Sequence, residues 1–190
     1  MYEVELKLRA DHDRVRKRLA AHEATSLGDV YQEDVYYDAP HRAFEETDEA
    51  LRIRRESDDD DSATTRLTYK GPLVEAASKT RIERETAVAD HEAMVGILDG
   101  LGFTPAATVE KHRERFSCGE YTVALDTVTD LGEFVEVERE VAAETDIEPA
   151  RDGARALLSE LGCDPDAQIR TSYLGQLIEH SSGTTADDSR

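Results

Sequence analysis

The sequence has little of several features that would identify other classes of protein. Its 190 residues include only two cysteines, Cys118 and Cys163, which are far apart and have no metal-ligand spacing. Neither a disulfide framework nor a zinc site is therefore expected. No apolar run approaches the roughly 20 residues of a transmembrane helix, and the acidic N-terminus differs from a basic, apolar signal segment. We expect a soluble cytoplasmic protein with no membrane partner.

The sequence also lacks linker segments and internal repeats. No Gly/Ser-rich or Pro-rich segment divides the chain, and its length is sufficient for one domain with a core. We predict a single domain over residues 1–179. Residues 180–190 are mostly Ser, Gly, Thr and Asp, which cannot bury a core, so we predict a disordered acidic tail there.

Basic residues are scarce, with 23 Lys and Arg against 43 Asp and Glu and a formal net charge of −20. This excess of acid argues against nucleic acid or an anionic membrane as a partner. It also fits a high-salt cytoplasm, because at 1 M salt the Debye length falls to about 3 Å and self-repulsion is screened. A single Glu in such an acidic chain is most simply a solvated surface carboxylate. Only acids that belong to a regular sequence pattern are therefore taken as evidence for a functional site.

Charged residues alternate with apolar ones in about eight segments, which is the period of a β-strand. In the first segment, Glu3, Glu5 and Lys7 share one parity and aliphatic side chains occupy the positions between them. The later segments place the following charged residues on one face: Arg52, Arg54, Lys70, Lys79, Arg81, Glu83, Glu85, Lys111, Arg113, Asp126, Glu136 and Glu138. Helical spacing and capping residues predict helices over about 11–23, 90–101, 149–161 and 169–178.

The polar face of an antiparallel sheet normally points to water. A solvated face, however, would carry interchangeable polar residues, whereas here it is rich in Arg, Lys and paired Glu. We therefore predict an α+β fold in which an eight-stranded antiparallel sheet closes into a β-barrel, with helices packed outside and the charges inside. Burying such charges costs several kcal/mol each unless they pair or meet a ligand, so the interior should be wet and hold a ligand.

The two sets of charges suit a strongly anionic ligand accompanied by metal. Arg presents a planar fork and Lys a point charge to phosphate oxygens, so the cations could surround a polyphosphate. Hard oxygen ligands for one or two Mg²⁺ or Mn²⁺ ions are offered by Glu3, Glu5, Asp126, Glu136 and Glu138. Mg²⁺ usually takes only one or two carboxylates, so the other acids could hold a second ion or anchor the cations.

These residues resemble the CYTH family, which joins class IV adenylyl cyclases with thiamine triphosphatases and whose fold is called the triphosphate tunnel. Glu3-x-Glu5-x-Lys7 is similar to the family signature. Other blocks that look like the family follow in order: Gln32-Glu-Asp-Val-Tyr-Tyr-Asp38, Thr47-Asp-Glu-Ala-Leu-Arg-Ile-Arg54, Leu67-Thr-Tyr-Lys-Gly-Pro72, Lys79-Thr-Arg-Ile-Glu-Arg-Glu85, Lys111-His-Arg113, Leu131-Gly-Glu-Phe-Val-Glu-Val-Glu138 and Ser172-Tyr-Leu-Gly-Gln-Leu177. The resemblance covers about residues 1–178 and looks closest to the class IV cyclase-like branch.

The resemblance implies a tunnel that binds a small-molecule triphosphate with divalent metal, and it makes a homodimer reasonable. By carry-over, the metal ligands would be Glu3, Glu5, Asp126, Glu136 and Glu138. The phosphate-binding residues would be Lys7, Arg52, Arg54, Lys70, Arg81, Lys111, Arg113 and, near the C-terminal helix, Arg170. The catalytic set would be Glu3, Glu5, Lys7, Lys70 and Asp126. Glu83 and Glu85 would orient arginines or hold a second metal.

Three activities fit such a site. In the first, favoured by the resemblance, the ribose 3′-hydroxyl of ATP attacks the α-phosphorus to give cAMP and pyrophosphate. In the second, water attacks the terminal phosphorus of thiamine triphosphate, tripolyphosphate or a nucleotide. In the third, the protein captures a polyphosphate or nucleotide without turnover. The large acidic set argues against capture alone, because binding an anion needs the cations more than the carboxylates.

Overall fold

The barrel predicted from the alternating charges is present in the structure, which is a computed structural model. The structure describes residues 1–58, 63–75 and 77–184, without the side chains of residues 45 and 180–184. Its strands are β1 (Tyr2–Arg9), β2 (Thr25–Asp38), β3 (Ala50–Ser57), β4 (Ala63–Glu75), β5 (Thr80–Val88), β6 (Thr104–Cys118), β7 (Tyr121–Val128) and β8 (Gly132–Val141). They pair antiparallel and close in the order β1-β5-β4-β3-β2-β6-β7-β8. The α+β fold with a closed eight-stranded barrel is thus confirmed.

The alternation along each strand separates a charged interior from an apolar exterior. On β1, Val4, Leu6 and Leu8 are buried in the main hydrophobic core, while Glu3 and Glu5 line the interior cavity. Because successive side chains of a strand point to opposite faces, this arrangement follows directly from the period of two. The core therefore lies outside the barrel wall, between the sheet and the helices.

Four helices cover the outside of the barrel: α1 (His12–Ala21), α2 (His91–Gly100), α3 (Ile147–Glu160) and α4 (Tyr173–Thr184). Asp11 and Asp90 cap α1 and α2, accepting hydrogen bonds of 3.0 Å from the backbone of Arg14 and Ala93. Residues of α1 and α3 pack with β1, β7 and β8 in one core, and residues of α2 pack with β2, β3 and β4 in another. None of the helices in the described part of the chain has the length and apolar character needed to span a membrane.

The last helix differs from its prediction. The backbone N–H of Ile169 donates to the Lys7 carbonyl at 2.7 Å, so this residue lies along β1 and α4 begins only at Tyr173. Ser172 then accepts from the Gly175 N–H at 3.0 Å, which satisfies a free donor of the first turn. The helix continues to Thr184, past the predicted domain end at 179. The remainder of the predicted tail, 185–190, lies outside the described residues.

Candidate active site

The inward-facing charges line a cavity of about 590 Å³ that runs inside the barrel. This volume is in the range of pockets that hold small-molecule ligands. The lining contains most of the site residues predicted from the sequence: Glu3, Glu5, Lys7, Arg52, Arg54, Lys70, Arg81, Glu83, Glu85, Lys111, Arg113, Glu136 and Glu138. Asp126 and Arg170 are not among the described residues that line it. We call this cavity the tunnel.

Two arginines of β3 are held by one buried carboxylate on β2. Asp34 lies opposite Arg54 in the strand register, and its two oxygens accept from Arg54 Nε at 2.6 Å and Nη2 at 2.7 Å. Arg52 Nη1 donates to the same carboxylate at 3.2 Å. Burial raises the pKa of Asp34, but Arg52 and Arg54 outweigh it and lower the pKa far below its ordinary value. Asp34 is therefore an anion that orients both guanidinium groups.

Asp126 on β7 holds the cations of β6 in the same way. It accepts from Arg113 Nε and Nη2, each at 2.6 Å, from Lys111 Nζ at 3.0 Å and from the Tyr173 hydroxyl at 3.0 Å. Burial raises its pKa, but Arg113 and Lys111 lower it well below the ordinary value. Burial and the neighbouring Arg113 lower the pKa of Lys111 to about 8. Asp126 thus lies behind the cations in the barrel wall, with its oxygens committed to them.

Lys70 on β4 lies between two acids. Its Nζ is 2.7 Å from Glu3 and 2.8 Å from Glu83, and Glu83 also approaches Arg52 at 4.0 Å. Burial lowers the pKa of Lys70, but Glu3 and Glu83 outweigh it and raise the pKa well above the ordinary value. Glu83 therefore contacts two predicted phosphate-binding cations.

Glu85 belongs to a different cluster from Glu83, although both are inward-facing acids of β5. It accepts hydrogen bonds of 2.9 Å from Arg66 and from the Thr68 hydroxyl. The prediction grouped the two acids together, whereas only Glu83 contacts the cations predicted to bind phosphate.

Arg81 has a partner that the sequence pattern does not reveal. Its guanidinium donates to the backbone oxygen of Asp48 at 2.6 Å and to its carboxylate at 2.5 Å. Asp48 precedes β3, outside any alternating segment, and has a positive φ of 54°. Lys79 lies 3.9 Å from the same carboxylate and also lines the tunnel; burial lowers its pKa to about 8. Lys79 is two residues from Arg81 and shares its face of the strand, and this spacing could have identified Lys79 as a site residue from the sequence.

The acids of β1 and β8 face each other across the strand pair. Glu5 lies opposite Glu138 and Lys7 opposite Glu136. Burial raises the pKa of Glu138 to about 7; Arg113 opposes this rise, and nearby Glu3 and Glu136 add to it. Burial also raises the pKa of Glu5, but Lys7 and Lys70 outweigh this effect and lower the pKa below its ordinary value. The two opposed acids therefore differ in how readily they give up a proton.

The tunnel acids of β1 and β8 are the predicted ligands of a divalent metal. Within the described ranges, no three His, Cys, Asp or Glu side chains are close enough together to hold an ion. Mg²⁺ typically uses one or two carboxylates and completes its shell with water and substrate phosphates. Glu5 and Glu138, facing the tunnel from opposed register positions, supply that number of carboxylates. The acids therefore fit an ion that shares its coordination with a phosphate ligand.

Tyr173, the first residue of α4, lines the tunnel. Its ring lies 4.1 Å from Lys7 Nζ and 5.1 Å from Lys111 Nζ, both within the range of a cation–π contact. Sequence reasoning placed this tyrosine on a helix but gave it no role in the site. Arg170, predicted to bind phosphate, is exposed on the segment before α4. Its position outside a regular strand explains why parity could not locate it.

The chain is similar to known proteins over most of its length. A model of the CYTH domain family matches residues 1–173. A Methanocaldococcus jannaschii protein named as a proposed adenylate cyclase, MJ0240, is 34% identical over 175 residues, which is 92% of this chain and 97% of that protein.

Two solved structures extend the comparison. PH1819 from Pyrococcus horikoshii is 37% identical with a TM-score of 0.87, covering 94% of this chain and 99% of that one. HpAC1 from Hippeastrum, described as having a dominant triphosphatase activity, is 16% identical with a TM-score of 0.62 and 95% coverage of both chains. At that identity the likeness to HpAC1 concerns the fold alone.

Proposed function

The chain belongs to the CYTH family, and on that premise we propose that it converts ATP to cAMP and pyrophosphate inside the tunnel with the help of Mg²⁺ or Mn²⁺. The observation that carries the proposal is the set of cations, most of them paired with a carboxylate, that converge on one cavity. They come from β1, β3, β4, β5 and β6: Lys7, Arg52, Arg54, Lys70, Arg81, Lys111 and Arg113.

This arrangement favours a triphosphate over a smaller anion. Cations on five strands surround the cavity, so several phosphate groups in a row can each meet a remaining Arg N–H or a Lys ammonium. Their orientation is already set by Asp34 and Asp126, which hold Arg54 and Arg113 through paired hydrogen bonds. Because these groups are positioned before the ligand arrives, little reorganisation is needed when charge develops in the transition state.

Glu5 and Glu138 are the residues that we propose hold the metal, with Glu3 and Glu136 beside them. A bound divalent ion polarises a phosphoryl oxygen and neutralises negative charge. The pKa of Glu138 is raised mainly by burial, and a bound cation would offset that effect by favouring the charged carboxylate. We assign Asp126 a positioning role toward Lys111 and Arg113, because its oxygens already accept from both.

The cyclase reaction needs positioning more than a covalent nucleophile. The ribose 3′-hydroxyl gives up its proton to solvent, and its oxygen forms a bond to the α-phosphorus while the bond from that phosphorus to the bridging oxygen of the β-phosphate breaks. The electron pair leaves with pyrophosphate, whose charge the tunnel cations stabilise. The cyclase name of the 34% identical archaeal relative supports this reaction over hydrolysis. We also propose a cytoplasmic location at high salt, a homodimer, and no nucleic-acid partner.

An assay with three substrates tests the proposal. Purified protein in molar KCl with Mg²⁺ or Mn²⁺ is incubated with ATP, thiamine triphosphate or tripolyphosphate, and cAMP, pyrophosphate and orthophosphate are separated. Formation of cAMP with pyrophosphate is the expected result. Orthophosphate would assign a hydrolase instead, and tight binding without any product would assign a binding module.

A matched pair of variants tests the metal assignment. Glu5→Gln should abolish turnover that depends on metal, since it removes one of two opposed carboxylates. Glu33→Gln, on the opposite parity of β2, makes the same chemical change outside the tunnel and should leave turnover intact. Full activity of Glu5→Gln across a Mg²⁺ titration would contradict the assignment.

A further inference from the structure

Three polar side chains form a cluster in the tunnel, toward the end where β6 finishes. The cluster consists of Gln32 on β2, Glu56 on β3 and Arg115 on β6, all of which line the tunnel. Gln32 Nε2 donates to Glu56 Oε2 at 2.6 Å, and Arg115 Nη2 lies 3.6 Å from Glu56 Oε1. The carboxylate of Glu56 therefore joins the amide and the guanidinium.

This cluster leaves one acceptor and one donor without a partner. A carboxylate only accepts hydrogen bonds, so the contact with Glu56 fixes which end of the Gln32 amide is the nitrogen. Gln32 Oε1 then points elsewhere, and neither it nor Arg115 Nε has a hydrogen-bond partner among the described residues. Gln32 is only 1% exposed, so the missing bond is not made to bulk water. A buried polar atom left in this state costs about 1–3 kcal/mol, which a ligand could recover.

The cluster lies next to the phosphate-binding cations on the tunnel wall. In the strand register Gln32 lies opposite both Glu56 and Lys111, and Glu56 and Arg115 are the next inward-facing residues after Arg54 and Arg113. Two residues of a strand span about 7 Å. That distance is of the order of one sugar ring, so a group attached to a triphosphate through a short spacer would reach the cluster.

We propose that Gln32 and Arg115 bind the edge of an aminopyrimidine ring, with Gln32 Oε1 accepting from the exocyclic amino group and Arg115 Nε donating to the adjacent ring nitrogen. The proposal rests on the proposed function, because it places the organic part of a triphosphate substrate. Adenine presents this edge, and so does the pyrimidine ring of thiamine. Hypoxanthine does not present this edge, because a carbonyl oxygen takes the place of the amino group. That oxygen has no hydrogen to donate to Gln32 Oε1.

Equilibrium binding to the unmodified protein gives the first test. Dissociation constants are measured by calorimetry in molar KCl without divalent metal for tripolyphosphate and, with analogues that carry methylene bridges at both the α,β and the β,γ positions, for ATP, ITP and thiamine triphosphate. The ATP or the thiamine analogue should bind at least about tenfold more tightly than the ITP analogue. The difference is expected because the ITP analogue leaves the buried acceptor Gln32 Oε1 unpaired. Whichever of the two binds more tightly identifies the source of the ring.

A variant then tests the residue itself. Gln32→Met keeps the side-chain length but removes the acceptor, so the preference for the amino-bearing ligand over the ITP analogue should fall to about twofold or less. Tripolyphosphate, which has no organic part, should bind this variant as it binds the unmodified protein, and that result also verifies folding. Gln176→Met, on α4 and outside the tunnel lining, is the matched control.

The outcomes separate this inference from the proposed function. Equal affinity of the unmodified protein for the ATP, thiamine and ITP ligands, together with tight tripolyphosphate binding, would overturn the inference alone. A preference for an amino-bearing ring that persists in Gln32→Met would also overturn it. Absence of binding of any triphosphate would overturn both proposals.

Discussion

The carboxylate of Asp126 accepts two hydrogen bonds of 2.6 Å from Nε and Nη2 of Arg113. The same paired contact joins Asp34 and Arg54 at 2.6 Å and 2.7 Å. Both acids are buried, and each arginine also lines the tunnel. The barrel wall therefore fixes the plane of each guanidinium before any ligand binds, which lowers the entropic cost of binding phosphate.

Replacing Asp126 should destabilise the fold. Asp126→Asn leaves Lys111 buried without its anion and Arg113 in close contact only with Glu136, which should cost about 3 kcal/mol of unfolding free energy. Urea denaturation at pH 7 measures this. Asp130→Asn is the control, since Asp130 is exposed in the turn after β7 and asparagine tolerates its φ of 63°. A control shift as large as that of Asp126→Asn would contradict the anchoring role.

Neighbouring arginines on β3 should differ in their contribution to binding. Arg54 faces the tunnel, whereas Arg55, the next residue, is exposed on the outside. Arg54→Met should weaken tripolyphosphate binding by about tenfold or more, because a charge that faces the phosphates is lost and Asp34 is left with the Arg52 ion pair to neutralise it. Arg55→Met should change the dissociation constant by less than about twofold. Calorimetry at one fixed salt concentration compares the two, and equal losses would indicate a general charge effect instead.

Glu138 should make stability depend on pH. Its pKa rises from an ordinary 4.5 to about 7 in the folded protein. The folded state therefore keeps a proton that the unfolded state releases. The resulting stability is fully present below about pH 4.5 and is lost as the pH rises through about 7. At 1.36 kcal/mol per unit the loss is at most about 3 kcal/mol, and less because the side chain is 26% exposed.

Metal-free denaturation between pH 4.5 and 7.5 checks this dependence. Glu138→Gln should flatten most of the decline, with a remainder from Glu3, whose pKa is also raised by burial. Glu120→Gln, which changes an exposed acid next to β7, is the control and should retain the slope. Identical slopes in the unmodified protein and Glu138→Gln would show that Glu138 titrates normally.

Two substitutions of Tyr173 should separate its hydroxyl from its ring. Tyr173→Phe removes only the hydrogen bond to Asp126 and should cost about 1 kcal/mol. Tyr173→Ala also removes the ring that packs on Phe134 and contacts Lys7, so it should cost about 3–5 kcal/mol. Thermal unfolding measures both. Equal losses would mean that the hydrogen bond carries the whole contribution.

The strands and three of the helices could be predicted because their signals are local. Alternation identifies which residues of β1 share a face, and Asp11 and Asp90 mark helix starts where they are observed as caps. The fourth helix was predicted to begin too early because Ile169 is apolar like the residues of α4. Its backbone instead bonds to Lys7, a contact between residues far apart in sequence.

The partners within the site could not be predicted in the same way. Asp34, Asp48 and Asp126 each hold particular cations, and these pairs depend on strand register and on the course of one loop. Parity indicated that Lys79 and Arg81 point the same way, but not that Asp48 would meet them. Arg170 has no neighbouring strand whose period could place it, and it lies exposed.

The sequence by itself determined that each strand has a charged face and an apolar face, since the period of two is a property of the extended chain. The Arg, Lys and paired Glu on the charged face also predicted that this face points inward, but only the tertiary structure decided which acid meets which cation. The reason is that closure joins β1 to β5 and to β8, strands far apart in the chain, and their register is set by packing and hydrogen bonding across the whole barrel. Glu5 and Glu138 face each other because of that closure.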